Sequence, residues 1–281
     1  MTARPVFPDK TNAFRFFRQI YATGACLHLR AQQRVPVPPA DKVIILREGM
    51  PAVDAMPTKG KLQVLDFLVA GDVVSASTVL ATPRVSLRAI TAASLVALET
   101  PESSGTMLAH DYWPFLMAQC TNQLARAYVH QLMVGRLETE PRVASFILAL
   151  AMRNAHEDTR SITVALPMSR DDIANYLVIN CDTLSRTMMK FCDSGLIERE
   201  SRHAVRIIDL PALKKKTPLS SLLSTVFMNR DDQPEIIRLP EAKNTDFTPE
   251  FRSSCALLPA GLTSTLARSG SEHPSALRGG W

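Results

Sequence analysis

Between Leu27 and Leu98 the apolar residues come in short runs broken by glycine, proline and charge. Val43-Ile44-Ile45-Leu46 precedes Gly49, and Leu62 to Phe67 precedes Gly71-Asp72. Val85 to Ile90 and Ser94 to Leu98 follow. Runs of this length bounded by turn formers predict strands. Many short strands need a second sheet to cover their apolar faces, so the pattern predicts a β-sandwich or β-roll over residues 20–110.

Beyond Asp111 the period lengthens. Leu116, Cys120, Leu124, Ala127, Gln131 and Val134 recur at spacings of three and four, with Pro114 at the start and Gly135 near the end. One helix over 111–137 is predicted. Such a helix suits a dimer seam, and equally suits burial against its own β-domain. A second helix begins near Pro141, carries Val143, Phe146, Ile147, Leu150 and Ala151, and frays at Asn154 to Arg160.

Residues 161–216, within a domain placed at 138–216, hold the most specific pattern. Ser169-Arg170-Asp171-Asp172 has the spacing of an N-cap with an acidic residue at N3, and Ile173, Ala174 and Leu177 supply a short apolar face. Asn180 caps the next helix, with Leu184, Met188 and Phe191 on one side and Asp182, Ser185, Arg186 and Met189 partly on the other. Gly195 closes it. Two short helices across a tight turn form a helix-turn-helix. Leu196 to Arg199 and Ala204 to Ile208 then read as a winged hairpin. Leu219 to Phe227 form one or two helical turns, within a segment 217–281 that is otherwise expected to be disordered. Near the start, Phe14, Phe16, Phe17 and Tyr21 suit either a short docking helix or a core contact.

Composition narrows the classes. The 281 residues, 46% apolar and 21% charged, suit two domains of ordinary size. No run reaches the length of an uncharged transmembrane span, and Met1 to Asp9 lack the apolar core of a secretory signal, so a cytoplasmic protein away from membranes is expected. The five cysteines are scattered without a Cys-x-x-Cys pair, which disfavours disulfides, zinc and iron–sulfur clusters. No P-loop, dinucleotide loop, metal dyad or assembled triad is recognisable, so the chain does not read as an enzyme. The formal charge is +5, of which residues 161–216 contribute +2, so bulk charge permits nucleic-acid binding without indicating it.

Geometry carries that case instead. The major groove of duplex DNA admits one helix, and base edges are read from its first turns. Asp182, Ser185 and Arg186 occupy that place. Arg186 can pair with guanine O6 and N7, Asp182 can accept from cytosine or orient the arginine, and Ser185 can reach a base edge or a phosphate. Ser169, Arg170, Lys190, Arg199 and Arg202 are the candidate phosphate contacts. Cys181 and Cys192 flank the recognition helix. A helix N-terminus and basic neighbours would lower the pKa of Cys181, making the pair candidates for redox sensitivity. The competing reading is a β-roll ligand-binding or scaffold protein whose helix-turn-helix makes protein contacts.

Met168-Ser169-Arg170-Asp171-Asp172-Ile173-Ala174-Asn175-Tyr176-Leu177 resembles the first motif helix of the CRP/FNR family of bacterial transcription regulators. Asp182-Thr183-Leu184-Ser185-Arg186 resembles that family's Glu-Thr-Val-Ser-Arg recognition sequence. The resemblance covers roughly residues 20–214 and is strongest to the FNR and FixK-like branch. It implies an α+β chain with a cyclic-nucleotide-binding-like β-roll, a dimerisation helix and a winged helix-turn-helix. It also implies a homodimer on a two-fold symmetric site, commonly an activator that contacts RNA polymerase, with base recognition by Asp182, Ser185 and Arg186.

Three departures shape the expectations. Asp182 is one methylene shorter than the usual Glu. Val178 takes the place where a glycine commonly follows Tyr-Leu, and the turn tolerates it provided φ stays negative. Gly71 to Leu80 resembles the start of the cyclic-nucleotide phosphate cassette but lacks its Arg-Ser or Arg-Thr pair, leaving Pro83-Arg84 nearby, which disfavours cyclic AMP. An oxygen-sensing cluster lacks its cysteines, and haem would have only His28, His110 or His130 as nominal ligands. No cofactor, metal or effector is therefore assigned.

Overall fold

The computed structural model describes residues 25–38, 42–57, 60–75, 84–99, 109–154 and 162–227. The aromatic cluster at Phe14 to Tyr21, the stretch 155–161 and the segment 228–281 lie outside the described residues.

Among the described residues eight antiparallel strands make two four-stranded sheets. They are β1 Ala25–Leu29, β2 Arg34–Pro36, β3 Lys42–Glu48, β4 Pro51–Ala55, β5 Gln63–Phe67, β6 Val73–Ser75, β7 Val85–Ala89 and β8 Ala93–Glu99. One sheet has the order β1-β8-β3-β6 and the other β2-β7-β4-β5. The run Val43 to Leu46 lacks alternation because its sheet is covered on both faces. Ile44 and Leu46 enter the roll with Leu27, Leu29, Val53, Leu87 and Leu95. Val43 and Ile45 face the other way, with Cys26, Val73, Val96 and Leu116. The β3–β4 turn requires its glycine, since Gly49 has φ +90° and a Cβ there would lie 2.3 Å from the Ala92 carbonyl oxygen.

Helix α1, Ala109–Arg136, closes over the first sheet. Its buried face is Leu116, Gln119, Arg126, Val129 and Met133. The spacing-based face from Leu116 to Val134 runs along the edge of this one, and its Leu124, Ala127 and Gln131 are exposed. The reason is chemical. Polar Gln119 and Arg126 occupy buried positions that hydropathy assigns to solvent, and Gln123 donates to the Val73 carbonyl of β6. A second stripe, Met117, Leu124, Tyr128 and Leu132, faces outward at 55%, 52%, 58% and 43% exposure.

Helix α2, Thr139–Asn154, is buried almost all round by Val143, Ala144, Phe146, Ile147, Leu148, Leu150 and Ala151. It sits in one apolar cluster that runs from Met50, Val64 and Phe67 of the roll to Leu184, Phe191, Leu223 and Phe227. Asp72, within the stretch Gly71 to Leu80 that resembles the start of a phosphate cassette, is a buried ion-pair node. Its Oδ2 lies 2.6 Å from Arg153 Nη2, its Oδ1 3.1 Å from Arg126 Nη2, and Arg153 Nη1 also donates to the Phe67 carbonyl at 2.8 Å. The node thus ties the roll to both α1 and α2.

The remaining elements are β9 Ile162–Ala165, α3 Arg170–Tyr176, α4 Cys181–Asp193, β10 Ile197–Ser201, β11 Ala204–Ile207, α5 Leu210–Lys215 and α6 Ser220–Phe227. The small sheet has the order β10-β11-β9. Residues 217–227, placed by sequence at the head of a disordered tail, belong to the folded chain. Thr217 is hydrogen-bonded to buried Ser145, and Leu223 and Phe227 are core residues. Two apolar turns were too short a signal to show that α2 leaves a groove for them. No helix among the described residues is long and apolar enough to cross a membrane.

Candidate nucleic-acid interface

The interface begins with a capping box. The Ser169 side chain accepts from the Asp172 amide at 3.0 Å, and the Asp172 carboxylate accepts from the Ser169 amide at 3.2 Å. Helix α3 then lasts two turns. The Asn180 side chain accepts from the Asp182 amide at 2.8 Å and starts α4. Leu184, Thr187 and Phe191 face the core, while Asp182, Arg186, Met189 and Lys190 face outward.

Both motif helices stop in the same way. Gly195 donates to the Cys192 carbonyl at 2.9 Å and Leu196 to that of Phe191 at 3.0 Å. Val178 likewise donates to the Asn175 carbonyl at 3.1 Å and Ile179 to that of Ala174 at 3.0 Å. This double closure needs a left-handed residue at its first donor. Gly195 meets the need at φ +69°, but Val178 sits there at φ +54°. The negative φ set as the condition for tolerating Val178 is therefore not met, because the hydrogen-bond pattern that ends α3 dictates the sign. Arg142 of α2 braces the turn, donating to the Leu177 and Val178 carbonyls at 2.9 and 3.2 Å. Strain at a β-branched left-handed residue is about 1–2 kcal/mol, and the Val178 side chain is 57% exposed, so it returns little by packing. Val178→Gly should raise stability by about 1 kcal/mol after the entropy of glycine is counted. A thermal melt reads this directly, and a lower Tm would show that the turn is unstrained.

Of the candidate base contacts, Asp182 and Arg186 are exposed one turn apart, and Ser185 is half-buried beside them. Arg170 at the head of α3 reaches Ser185 Oγ at 3.4 Å, which joins one phosphate candidate to one base candidate. Ser169 is committed to the cap, with its hydroxyl donating to Asp172 at 2.7 Å. Lys190 is ion-paired with Glu140 at the start of α2. Arg199 donates to the Ser201 carbonyl at 3.3 Å within the wing, and Arg202 is exposed in the turn between β10 and β11.

The cysteines behave differently from the sequence expectation. Burial first, then the Asp171 carboxylate, push the Cys181 thiol up from its ordinary value. Burial also raises Cys192, with Asp193 adding to it. A partly buried thiol among aspartates is poorer in thiolate, which runs against the premise of an acidic Cys181.

Residues that the sequence reading passed over fix α3 to the roll. Arg88 of β7 is buried, and donates from Nε to Asp54 Oδ2 and from Nη2 to Asp172 Oδ1, both at 2.6 Å. Arg34 joins the same Asp54 at 2.9 Å. Asn175 bonds the backbone of the roll on both sides, donating to the Leu62 carbonyl and accepting from the Val64 amide at 2.6 Å, while Gln63 Nε2 donates to the Asn175 carbonyl at 2.8 Å. The available signal was a lone Arg in the apolar run Val85 to Ile90 and a lone Asp in Ala52-Val53-Asp54-Ala55.

His130 of α1 stacks on Tyr176 with ring centroids 4.1 Å apart, and its Nε2 lies 2.9 Å from the Tyr176 carbonyl oxygen. That bond sets Nε2 as the protonated nitrogen. Burial holds His130 below its ordinary value of 6.5, with Arg142 adding to this and the Tyr176 carbonyl and Asp66 opposing it. The unfolded chain then takes up the proton first, so stability is full above about pH 6.5 and is lost as pH falls through the lower folded value. Melts at pH 7.5 and 5.5 should show a fall in Tm that is smaller in His130→Gln. Equal falls would remove His130 from the account.

A two-turn helix and a capped helix at a tight turn, flanked by a wing and joined to a β-roll, define a DNA-binding transcription regulator. Residues 141–216 match the Crp-like helix-turn-helix domain. The transcriptional regulatory protein btr of Bordetella pertussis is 33% identical over 186 residues, 63% of this chain and 74% of that protein. The nitrogen fixation regulation protein FixK of Azorhizobium caulinodans is 30% identical over 182 residues, 63% of this chain and 71% of that protein. The solved structure of FixK2 from Bradyrhizobium japonicum superposes with TM-score 0.57 at 23% identity, over 69% of this chain and 98% of that one. The chain belongs to the CRP/FNR family of transcription regulators, on its FixK-like branch.

Proposed function

We propose that the chain works as a cytoplasmic homodimer that binds a two-fold symmetric duplex site and activates transcription through contact with RNA polymerase. The division of labour follows the predicted boundaries, with residues 20–110 as a β-roll platform, 111–137 as the dimer seam and 138–216 as the DNA reader. One observation carries this reading: the outer face of α4 presents Asp182 and Arg186 to solvent on a helix whose start is capped and whose inner face is locked in the core. Arg186 meets guanine, Asp182 and Ser185 share the adjacent edge, Arg170, Lys190, Arg199 and Arg202 track the phosphates, and Ser169 stays in the cap beside them. Lys190 must exchange Glu140 for a phosphate to do so.

Geometry supports two copies. One recognition helix reads only a few base pairs, and the exposed apolar stripe on α1 supplies a face for a second copy. Among the described residues the interior of the roll is lined by the apolar side chains of Leu27, Ile44, Leu46, Val53, Leu87 and Leu95, which supports the platform reading.

Selection from random duplexes without added effector, at stated salt, tests the whole reading. The expected product is a palindrome with half-sites about one DNA turn, roughly 34 Å, apart. Uniform weak binding to every duplex would instead favour a scaffold whose helix-turn-helix contacts protein.

A further inference from the structure

We propose that Arg88 is a positioning residue for DNA recognition, fixing through Asp172, and together with Asn175, the angle at which α4 is presented and hence the half-site spacing that the dimer accepts. The proposal rests on the two-fold dimeric reading above.

Two recognition helices can select a spacing only if each is rigidly fixed to the rest of its protomer. A module on a loose tether would accept many spacings at reduced effective concentration. Within the reader α2 is tied to the roll through Arg153, and α3, the helix just before the recognition helix, is held to the roll near both of its ends. At its start Arg88 reaches Asp172. One turn later Asn175 joins the edge of β5 through Leu62, Gln63 and Val64. Two separated attachments fix a direction, which a single one does not.

The chemistry at Arg88 also favours positioning over bulk stability. A guanidinium buried in an apolar strand gains little net stability over a well-packed apolar side chain, and the best-attested use of such a group is to select one geometry. Arg88 is fully committed in that sense. Burial alone would lower its pKa, but the hydrogen bonds and charges of Asp54 and Asp172 more than offset this and keep it cationic. Asp54 is itself held by Arg34, so the anchor on the roll side is rigid. On the reader side, Asp172 is the N3 residue of the capping box, so its position sets where α3 begins. The next link is Arg170, which reaches Ser185 on the recognition helix.

The test uses the full-length protein and a series of duplexes carrying two copies of the selected half-site, at the preferred spacing and lengthened or shortened by one and two base pairs. A duplex with one half-site is the control. Parent, Arg88→Gln, Asp172→Asn and Asn175→Ala proteins are compared, each checked for folding by circular dichroism. The parent should show a sharp optimum. The variants should lose about tenfold of the ratio between preferred and displaced spacings, with single-half-site affinity within about twofold of the parent. Folded variants that keep the parent's optimum overturn the proposal, as does tighter binding at every spacing, which would make the contact a restraint. If Arg88→Gln fails to fold, Asp172→Asn and Asn175→Ala carry the test; failure of all three to fold makes the contact structural and also overturns it. A parent without any spacing optimum defeats the dimeric reading itself, a result distinct from unchanged selectivity in the variants.

Discussion

Arg186→Ala is expected to abolish preference for the selected site while leaving the protein folded and able to bind duplex DNA weakly. A bidentate arginine–guanine contact is worth about 1–3 kcal/mol of discrimination. A symmetric dimer makes it twice, so the loss is about 2–6 kcal/mol, or roughly 30- to 20,000-fold. Folding should be spared because Arg186 is exposed and shares no cap or core contact in α4. The control is Lys190→Ala, which should weaken all sequences alike and by less, because a phosphate contact carries no base information and Lys190 must first leave Glu140. Titrations of selected and scrambled duplexes at two salt concentrations separate the cases. Equal losses on both duplexes for Arg186→Ala would move that residue from the bases to the phosphates.

The features legible in the sequence are those whose cause is local. Ser169 and Asp172 lie three residues apart and close a box on themselves, and Asn180 caps the helix it adjoins. Strands β3, β5, β7 and β8 were visible as apolar runs because burial on a pleated sheet follows neighbouring residues. The brackets around α3 were invisible for the opposite reason. Arg88 and Asp172 are separated by 84 positions, and Asn175 and Leu62 by 113, so only the closed fold brings them together. The pairing of Asp72 was hidden for the same reason, since its partners Arg126 and Arg153 stand on α1 and α2, far along the chain. Val178 shows a subtler limit. Its left-handed conformation is imposed by the amides of residues 178 and 179 turning back onto α3, a demand that side-chain preference alone does not reveal.

The burial of α1 also separates two roles that one periodicity blended. Its inward face uses Gln123 and Arg126 to meet Val73 and Asp72 of the roll, so apolar residues are left over on the outside. Exposed Met117, Leu124, Tyr128 and Leu132 then need an occupant, since a contiguous apolar stripe along a helix is uncommon on an isolated chain.

Leu124→Glu tests whether that occupant is a second copy. Met117 and Leu124 are seven residues apart, with Tyr128 and Leu132 continuing the stripe at steps of four. Met117, Leu124 and Tyr128 keep the steps of a heptad seam between two packed helices, and Leu132 flanks it. In a two-fold arrangement each substitution meets its own image, so two carboxylates are brought together where two leucines were buried. Loss of the apolar contact and burial of like charge should leave a monomer. Affinity for the two-half-site duplex should then fall by about 10²–10⁴, the avidity that linkage provides, while affinity for one half-site stays near the parent value. Leu124 is 52% exposed within the protomer, so circular dichroism and the thermal melt should change little beyond any dimer contribution. Sedimentation measures the mass and the paired titrations measure the linkage. A variant that remains a dimer, or a monomer that binds the full site as tightly as the parent, would show that the seam lies elsewhere or that DNA binding does not depend on it.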